Sequence, residues 1–529
     1  MPRDNAMQLQ MNSIVREGRA LFSVFTLFSL LCSCATLPPN SNNALSSAYS
    51  QPQTTALGGI TARAVAAHAG QSGFQILDTG KQALQARLAL IEAAQHALDL
   101  QYYIWNSDAS GAYMARRILL AADRGVRVRV LLDDVNIGGR DALLAALDTH
   151  PNIEVRIFNP VAARSGTAKM LGFLEDFSRL NRRMHNKTFV ADGALGIVGG
   201  RNIGDEYFDL HAHVNFRDRD MLATGPIVRD ISKNFDAYWN SAWAWPAATL
   251  AGERLKPEAL GAALAQARAR AADASLLHDA PPQDVQAGLA AVREIVPQMS
   301  WANAELVYDP PVPKDVADNN TVKLTAQTLG ALSRAAQHEV LIESAYFILG
   351  DAQLDNVQKL TSRGVKLRAL TNSLASNDLT TNHAGYARRR TAMLDNGLEL
   401  HELRPDAAAC AIWIDAAGYC GKGKVSLHAK TVVFDRKTLY VGSFNINLRS
   451  AYLNSETVLV IHSPHLAEQV ARDIELAMAP DNSWQVSRDA SGQLRWSGAG
   501  QTWTHEPDTD LWRRFKSGLF SLLPMEKYL

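Results

Sequence analysis

The chain has 529 residues, 47% of them hydrophobic, and its 53 basic residues are balanced by 53 acidic ones. That length and apolar content exclude a disordered chain and call for large packed cores, with two domains expected. The balanced charge counts against a dedicated nucleic-acid binder, which needs clustered excess Lys and Arg, and leaves room only for a locally basic groove.

In chain order, Arg16 and Arg19 precede an apolar run, Leu21 to Leu31, which ends at Leu31-Cys32-Ser33-Cys34. Eleven residues are too few to span a bilayer and read as a targeting segment. Residues 1–33 are therefore taken as a signal peptide. Ser33-Cys34 resembles a bacterial lipoprotein cleavage site with Cys34 as the lipidated residue, although Cys32 departs from the small residue usual at its position. The alternatives are an uncleaved apolar anchor or a start at Met7 or Met11. The lipidation reading places the protein in a bacterial cell envelope, lipid-anchored on the periplasmic side of the outer or inner membrane. Ala35 in place of Asp resembles outer-membrane sorting. The rest of 34–70 is expected to be a flexible tether, because Thr36 to Thr55 is rich in Pro, Ser, Asn and Gln without apolar periodicity.

A first α/β unit is predicted over 71–246. Strand patterns at Ala97 to Trp105, Val126 to Leu132 and Ile153 to Phe158 alternate with helical ones at Gly111 to Ala122 and Arg140 to Leu147. Strands separated by helices imply crossovers and a sheet covered on both faces. Phe173, Leu174 and Phe177 beside Arg179, Arg182 and Arg183 read as an amphipathic connection in preference to a lipid contact.

The stretch Met184 to Asp209 follows, with His185, Lys187 and Asp192 in the spacing H-x-K-x4-D, then Gly199-Gly200-Arg201-Asn202. On an extended segment, side chains two apart share a face, so an imidazole stands beside an ammonium. A neutral imidazole is a nucleophile or base, an imidazolium an acid, and a lysine supplies positive charge for phosphoryl oxygens.

Residues 247–300 are Ala-rich and helical in pattern, broken by Pro281-Pro282, and read as a linker. The second unit, 301–529, repeats the alternation at Val340 to Tyr346, Val365 to Leu370 and Leu398 to Leu403. An insertion between Pro405 and Val425 carries Cys410 and Cys420, equally readable as a disulfide or as two free thiols. The motif then returns as His428, Lys430 and Asp435, with Gly442, Ser443 and Asn445 after it. In the tail, Leu511, Phe515, Leu519 and Leu522 fall at helical spacing; a helix docked on the core is preferred over an interfacial one.

The duplication extends beyond the motifs. Gln95 to Tyr103 answers to Gln337 to Ala345 at an offset of 242, Arg124 to Arg129 to Arg363 to Arg368 at 239, and the histidines at 243. The chain is thus a doubled unit of about 240 residues.

The doubled H-x-K-x4-D followed by G-[GS]-x-N resembles the phospholipase D superfamily. The runs RLNRRMHNK at 179–187, VGGRNIGDEYF at 198–208 and TNSLASNDLTTNHAGYARRR at 371–390 resemble its bacterial cardiolipin synthase C branch. The resemblance spans roughly Phe74 to Leu529. It implies an α/β fold of two pseudo-symmetric units, each a mixed β-sheet flanked by helices, with the active site at their interface. It makes His185, Lys187, Asp192, His428, Lys430 and Asp435 the catalytic set, with His185 as nucleophile by analogy. Asp192 and Asp435 are expected to support the motif strands more than to touch substrate. Lys187, Asn202, Lys430, Ser443 and Asn445 would bind the substrate phosphate. An acidic residue farther along orients each histidine: Glu456 fits in the second unit, and Asp218 is preferred over Asp220 in the first.

No cofactor or metal is implied, since each motif histidine is paired with a lysine, a poor neighbour for a cation. The implied reaction is phosphatidyl transfer between phospholipids through a phosphohistidine, forming cardiolipin. Phosphatidylglycerol and phosphatidylethanolamine are candidate substrates at a membrane surface. No nucleic acid is expected, and no residue declares a partner protein. Hydrolysis to phosphatidic acid needs the same residues and stays open; a nuclease or an inert lipid-binding module is disfavoured.

Overall fold

A computed structural model describes residues 36–522 and 526–528, apart from 41–42, 139, 165–168, 170–175, 252–260, 263–264, 266–280 and 313–320. The apolar run, Cys34, Phe173 and Leu174 lie outside the described residues.

The first unit has strands β1 (Ser72–Leu77), β2 (Ala97–Tyr102), β3 (Arg127–Asp133), β4 (Ile153–Phe158), β5 (Thr188–Ala191), β6 (Leu195–Gly199), β7 (Val214–Arg217), β8 (Asp220–Thr224) and β9 (Ala244–Pro246). Its helices include α1 (Ala56–Ala67), α2 (Gly80–Ala93), α3 (Ala109–Asp123), α4 (Asp141–Leu147) and α5 (Pro226–Trp239), and α6 (Val285–Ile295) from the linker packs on α2. The second unit has β10 (Ser300–Tyr308), β11 (Glu339–Ser344), β12 (Lys366–Asn372), β13 (Glu399–Leu403), β14 (Lys424–Leu427), β15 (Lys430–Phe434), β16 (Thr438–Gly442), β17 (Thr457–His462) and β18 (Ser483–Arg488). Its helices include α7 (Leu324–Ala335), α8 (Asp351–Ser362), α9 (Thr380–Asp395), α10 (Pro464–Met478) and α11 (Leu511–Ser521).

The two sheets have the same topology. In the first, β1, β8, β6, β5 and β2 neighbour one another antiparallel, then β3 and β4 follow parallel to β2. In the second, β10, β17, β16, β15 and β11 run antiparallel and β12 and β13 follow in parallel. β1 pairs antiparallel with β10, through Gly73 opposite Trp301, so both sheets join edge to edge. One apolar core is shared: Val190, Val198 and Ile231 of the first unit belong to the same cluster as Val433, Leu459 and Ile474 of the second. The outer faces have separate cores, under α2, α3 and α6 in one unit and α8 and α9 in the other.

Two expectations change, and one question left open is answered. Residues 43–50 are not a free tether. Arg129 Nη1 donates to Ser46 O at 3.1 Å, Arg156 Nη2 to Ala44 O at 2.7 Å, and Ala48 N to Asp236 Oδ2 at 2.9 Å. Composition signals tethers only where no external acceptor is needed; here buried arginines take the segment's carbonyls. Thr55 then caps α1 by accepting from Gly58 N. The tail helix α11 is docked, but its apolar stripe faces outward. Cys410 and Cys420 form a disulfide with Cα atoms 5.8 Å apart. The insertion it closes feeds β14, which pairs in parallel with β7 of the first unit.

A chain beginning at Gln51 should lose about 2 kcal/mol in denaturant unfolding, because Arg129 and Arg156 lose acceptors. Unchanged stability would make the segment a passive covering.

Candidate active site

His185 and His428 sit on the extended segments that enter β5 and β15, both buried. Each is held by the opposite unit. His185 N donates to Ser455 O at 2.9 Å, and His428 N to Arg217 O at 2.8 Å. The residue after each of those carbonyls is the carboxylate for that histidine: Glu456 Oε2 lies 2.8 Å from His185 Nδ1, and Asp218 Oδ2 lies 2.6 Å from His428 Nδ1. A carboxylate only accepts, so each Nδ1 carries the hydrogen and each Nε2 keeps its lone pair. The acids named from sequence are thus the orienting pair, with the assignment crossed between units. Asp220, the alternative, pairs with Arg87 at 2.9 Å.

The residues preceding the histidines are pinned within their own units. Asp133 Oδ2 accepts from Met184 N at 2.9 Å, and Asn372 Oδ1 accepts from Leu427 N at 2.8 Å. These two occupy the ends of β3 and β12 and are separated by 239 positions, the offset already visible at the starts of those strands. The repeat held the signal for this pair, although no motif marks it.

Lys187 Nζ donates to His185 O at 2.6 Å, and Lys430 Nζ donates to His428 O. Each lysine's charge also reaches the other unit's histidine, so both motifs converge on one site. Burial lowers the lysines to about 7 for Lys187 and about 8 for Lys430. Burial, aided by the lysines, lowers His185 to about 4 and His428 to about 3. Glu456 and Asp218 lie below the usual carboxylate range: burial opposes this, and the adjoining histidines and lysines outweigh it. At neutral pH the site therefore holds two neutral imidazoles and two carboxylates, with Lys430 largely cationic and Lys187 divided between its charged and neutral forms.

Other candidates divide. Asp192 is not catalytic: its carboxylate accepts from the backbone N–H groups of Gln95, His96 and Ala97 at 2.7–2.9 Å. Asp435 is not catalytic either, holding Gln337, His338 and Glu339 in the same way. Both stand at positive φ, 52° and 49°, in the turns after β5 and β15. Ser443 does not face a phosphate: Oγ donates to Glu456 Oε2 at 2.6 Å and accepts from Thr457 N at 2.9 Å. Asn202 accepts from Ile104 N and donates to Tyr207 OH at 2.9 Å, and Tyr207 meets the His428 ring edge-on at 5.1 Å. Asn445 has a buried Oδ1 without a hydrogen-bond partner. Glycine is needed where the acid approaches: a Cβ on Gly200 would lie 2.2 Å from Asp218 Oδ1.

Tyr103, which packs edge-on against His185 at 4.9 Å, and Tyr346, which donates to Asp378 at 2.9 Å, complete the walls. Neither was singled out from sequence, since an aromatic near a strand end reads as core. Among the described residues, His383, Glu402 and Glu506 approach one another closely enough for an ion. Arg390 already lies among them, 2.7 Å from Glu506, and a guanidinium there disfavours a metal.

Fold and site define a two-histidine enzyme of the phosphatidyltransferase and phospholipase D type. Residues 88–239 and 330–477 match the family described as cardiolipin synthase, PLD-like domain, and the chain belongs to that family. It is 38% identical to cardiolipin synthase C of Escherichia coli strain K12, over 87% of this chain and 96% of that one. Cardiolipin synthase of Geobacillus kaustophilus is 25% identical over 75% of this chain and 64% of its own length. Phosphatidylserine synthase of Haemophilus influenzae shares the fold, with TM-score 0.55 and 14% identity over 89% of this chain and all of that one.

The lowered lysines set an alkaline limit. kcat/KM should fall progressively above about pH 7, as first Lys187 (about 7) and then Lys430 (about 8) lose the charge that holds an anionic substrate. Ordinary lysines would postpone that loss to about pH 10, and a profile flat to that point would remove the lysines from substrate binding.

Proposed function

We propose that this enzyme transfers a phosphatidyl group from one phospholipid to the hydroxyl of another through a phosphohistidine, forming cardiolipin. The observation that carries the reading is the crossed pair of carboxylates, which leaves both Nε2 atoms with a lone pair in a site shared with two lysines. His185 Nε2 attacks phosphorus, forming N–P as the P–O bond to the leaving alcohol breaks, and His428 supplies the proton to that alcohol. His428 then takes the proton of the acceptor hydroxyl, whose oxygen displaces His185. Burial keeps His428 neutral at pH 7; an anionic phosphodiester beside it raises its basicity, so substrate loading recruits the proton. Lys187, Lys430, Asn202 and Asn445 hold the phosphoryl oxygens.

The candidate donors are phosphatidylglycerol and phosphatidylethanolamine. A largely apolar cavity of about 90 Å³, lined by Tyr103, Ala115, Ile118, Leu144 and Val155, adjoins the His185 side and gives an acyl chain a wall. This favours a lipid over a nucleic-acid phosphodiester.

His185→Ala and His428→Ala should each cut turnover by about a thousandfold or more with the fold intact. Mass spectrometry of mixed phosphatidylglycerol and phosphatidylethanolamine vesicles with isotopically distinct donors should find cardiolipin. Phosphatidic acid alone would make the enzyme a hydrolase.

We also place the protein on the periplasmic side of a bacterial envelope, anchored through Cys34. The Cys410–Cys420 disulfide favours an oxidising compartment. No helix among the described residues is long and apolar enough to cross a membrane. Cys34→Ala should move the protein from the membrane to the soluble fraction, and unchanged fractionation would count against the lipid anchor.

A further inference from the structure

The tail helix α11 shows its apolar side to solvent. At about 100° per residue, Leu511, Trp512, Phe515, Leu519 and Leu522 fall within one arc of roughly 100°. Their exposures are 78%, 63%, 60%, 53% and 76%. The opposite side makes the attachment: Ser517 is buried with Oγ 3.3 Å from His383 Nδ1, and Arg513 Nη2 donates to Asn377 O at 2.6 Å. A helix serving only the core would be docked the other way round.

Its position ties it to the catalytic cleft. Asn377 precedes Asp378, which accepts from the OH of Tyr346, one of the aromatic walls of the site with Tyr103 and Tyr207, the neighbours of the two histidines. Beyond α11 the chain returns to the other side of the site, where Tyr528 packs on Phe177 at 5.2 Å and its carbonyl accepts from Arg449 at 3.1 Å. Leu379, 46% exposed, lies beside the same rim.

We propose that α11 is the surface on which this enzyme sits on a bilayer containing anionic phospholipid, its apolar side within the interface and the cleft facing the headgroups. The charge of the helix fits that partner: Arg514 and Lys516 flank the apolar stripe, and no acidic residue occurs from Leu511 to Leu522. Trp512 stacks on Phe515 at 5.7 Å with Lys516 Nζ 5.5 Å from the indole centroid, an arrangement suited to the headgroup boundary. The inference rests on the reading of the cleft as a phospholipid site and names how that substrate is met.

The test is amide hydrogen exchange of peptides covering 511–522 in the full chain, with vesicles of phosphatidylcholine alone or of phosphatidylcholine with phosphatidylglycerol. Exchange should slow at least tenfold on the anionic vesicles and less on the zwitterionic ones. Unchanged exchange on both overturns the proposal, and equal slowing on both overturns its anionic-lipid part. In parallel, a Phe515→Glu, Leu519→Glu variant should lose at least tenfold in turnover on anionic vesicles while keeping turnover of a dispersed short-chain phospholipid. Equal loss on both substrates, or on neither, counts against docking through α11. Slowed exchange in an inactive His185→Ala protein leaves this inference standing while the reaction reading is judged separately.

Discussion

Each histidine takes its carboxylate from the other unit, and the rest of the architecture serves that exchange. Glu456 reaches His185 and Asp218 reaches His428 only because the backbone beside each acid also accepts from the histidine's own N–H. The close passage of Asp218 past Gly200 leaves no space for a Cβ, so that glycine is a clearance requirement. Edge pairing of β1 with β10 sets the two units in the relation that makes both crossings possible at once.

Burying so many charged groups is costly unless each is matched, and the unit interface meets that demand with cross-unit ion pairs. Arg217 and Arg219 of the first unit meet Glu343 and Asp473 of the second, while Arg219 also reaches Asp78 at 2.7 Å. Such pairs add little net stability when exchanged for apolar contacts, yet removing one partner strands a buried charge. They therefore fix the register of the two units more than they glue them. Within the site the same reasoning makes the imidazoles neutral and the lysines weakly basic, a state completed by an incoming anion.

Much of this was legible in the sequence because duplication makes the evidence appear twice. Periodicity located Ile153–Phe158, and the doubled motif located both histidines and lysines. Asp218 and Glu456 were legible as acids at suitable places, but which histidine each serves is a fact of tertiary crossing that no local pattern encodes. Asp192 and Asp435 drew attention through fixed spacing, although the spacing records a turn at positive φ whose carboxylate gathers three backbone N–H groups. Helical spacing identified the stripe on α11, yet periodicity is blind to which side meets the protein. The composition around residues 43–50 misled for a related reason: the order of that segment comes from arginines far along the chain.

The crossing also has a temporal side. His185 precedes Glu456 by 271 positions, so a ribosome making the chain displays a finished first unit whose nucleophile candidate still lacks its acid. Asp218, made early, waits 210 positions for His428. A chain cut short between the units carries half of each pair and no competent one. Neither the His185–Glu456 nor the His428–Asp218 pair can form until residues of both units are present.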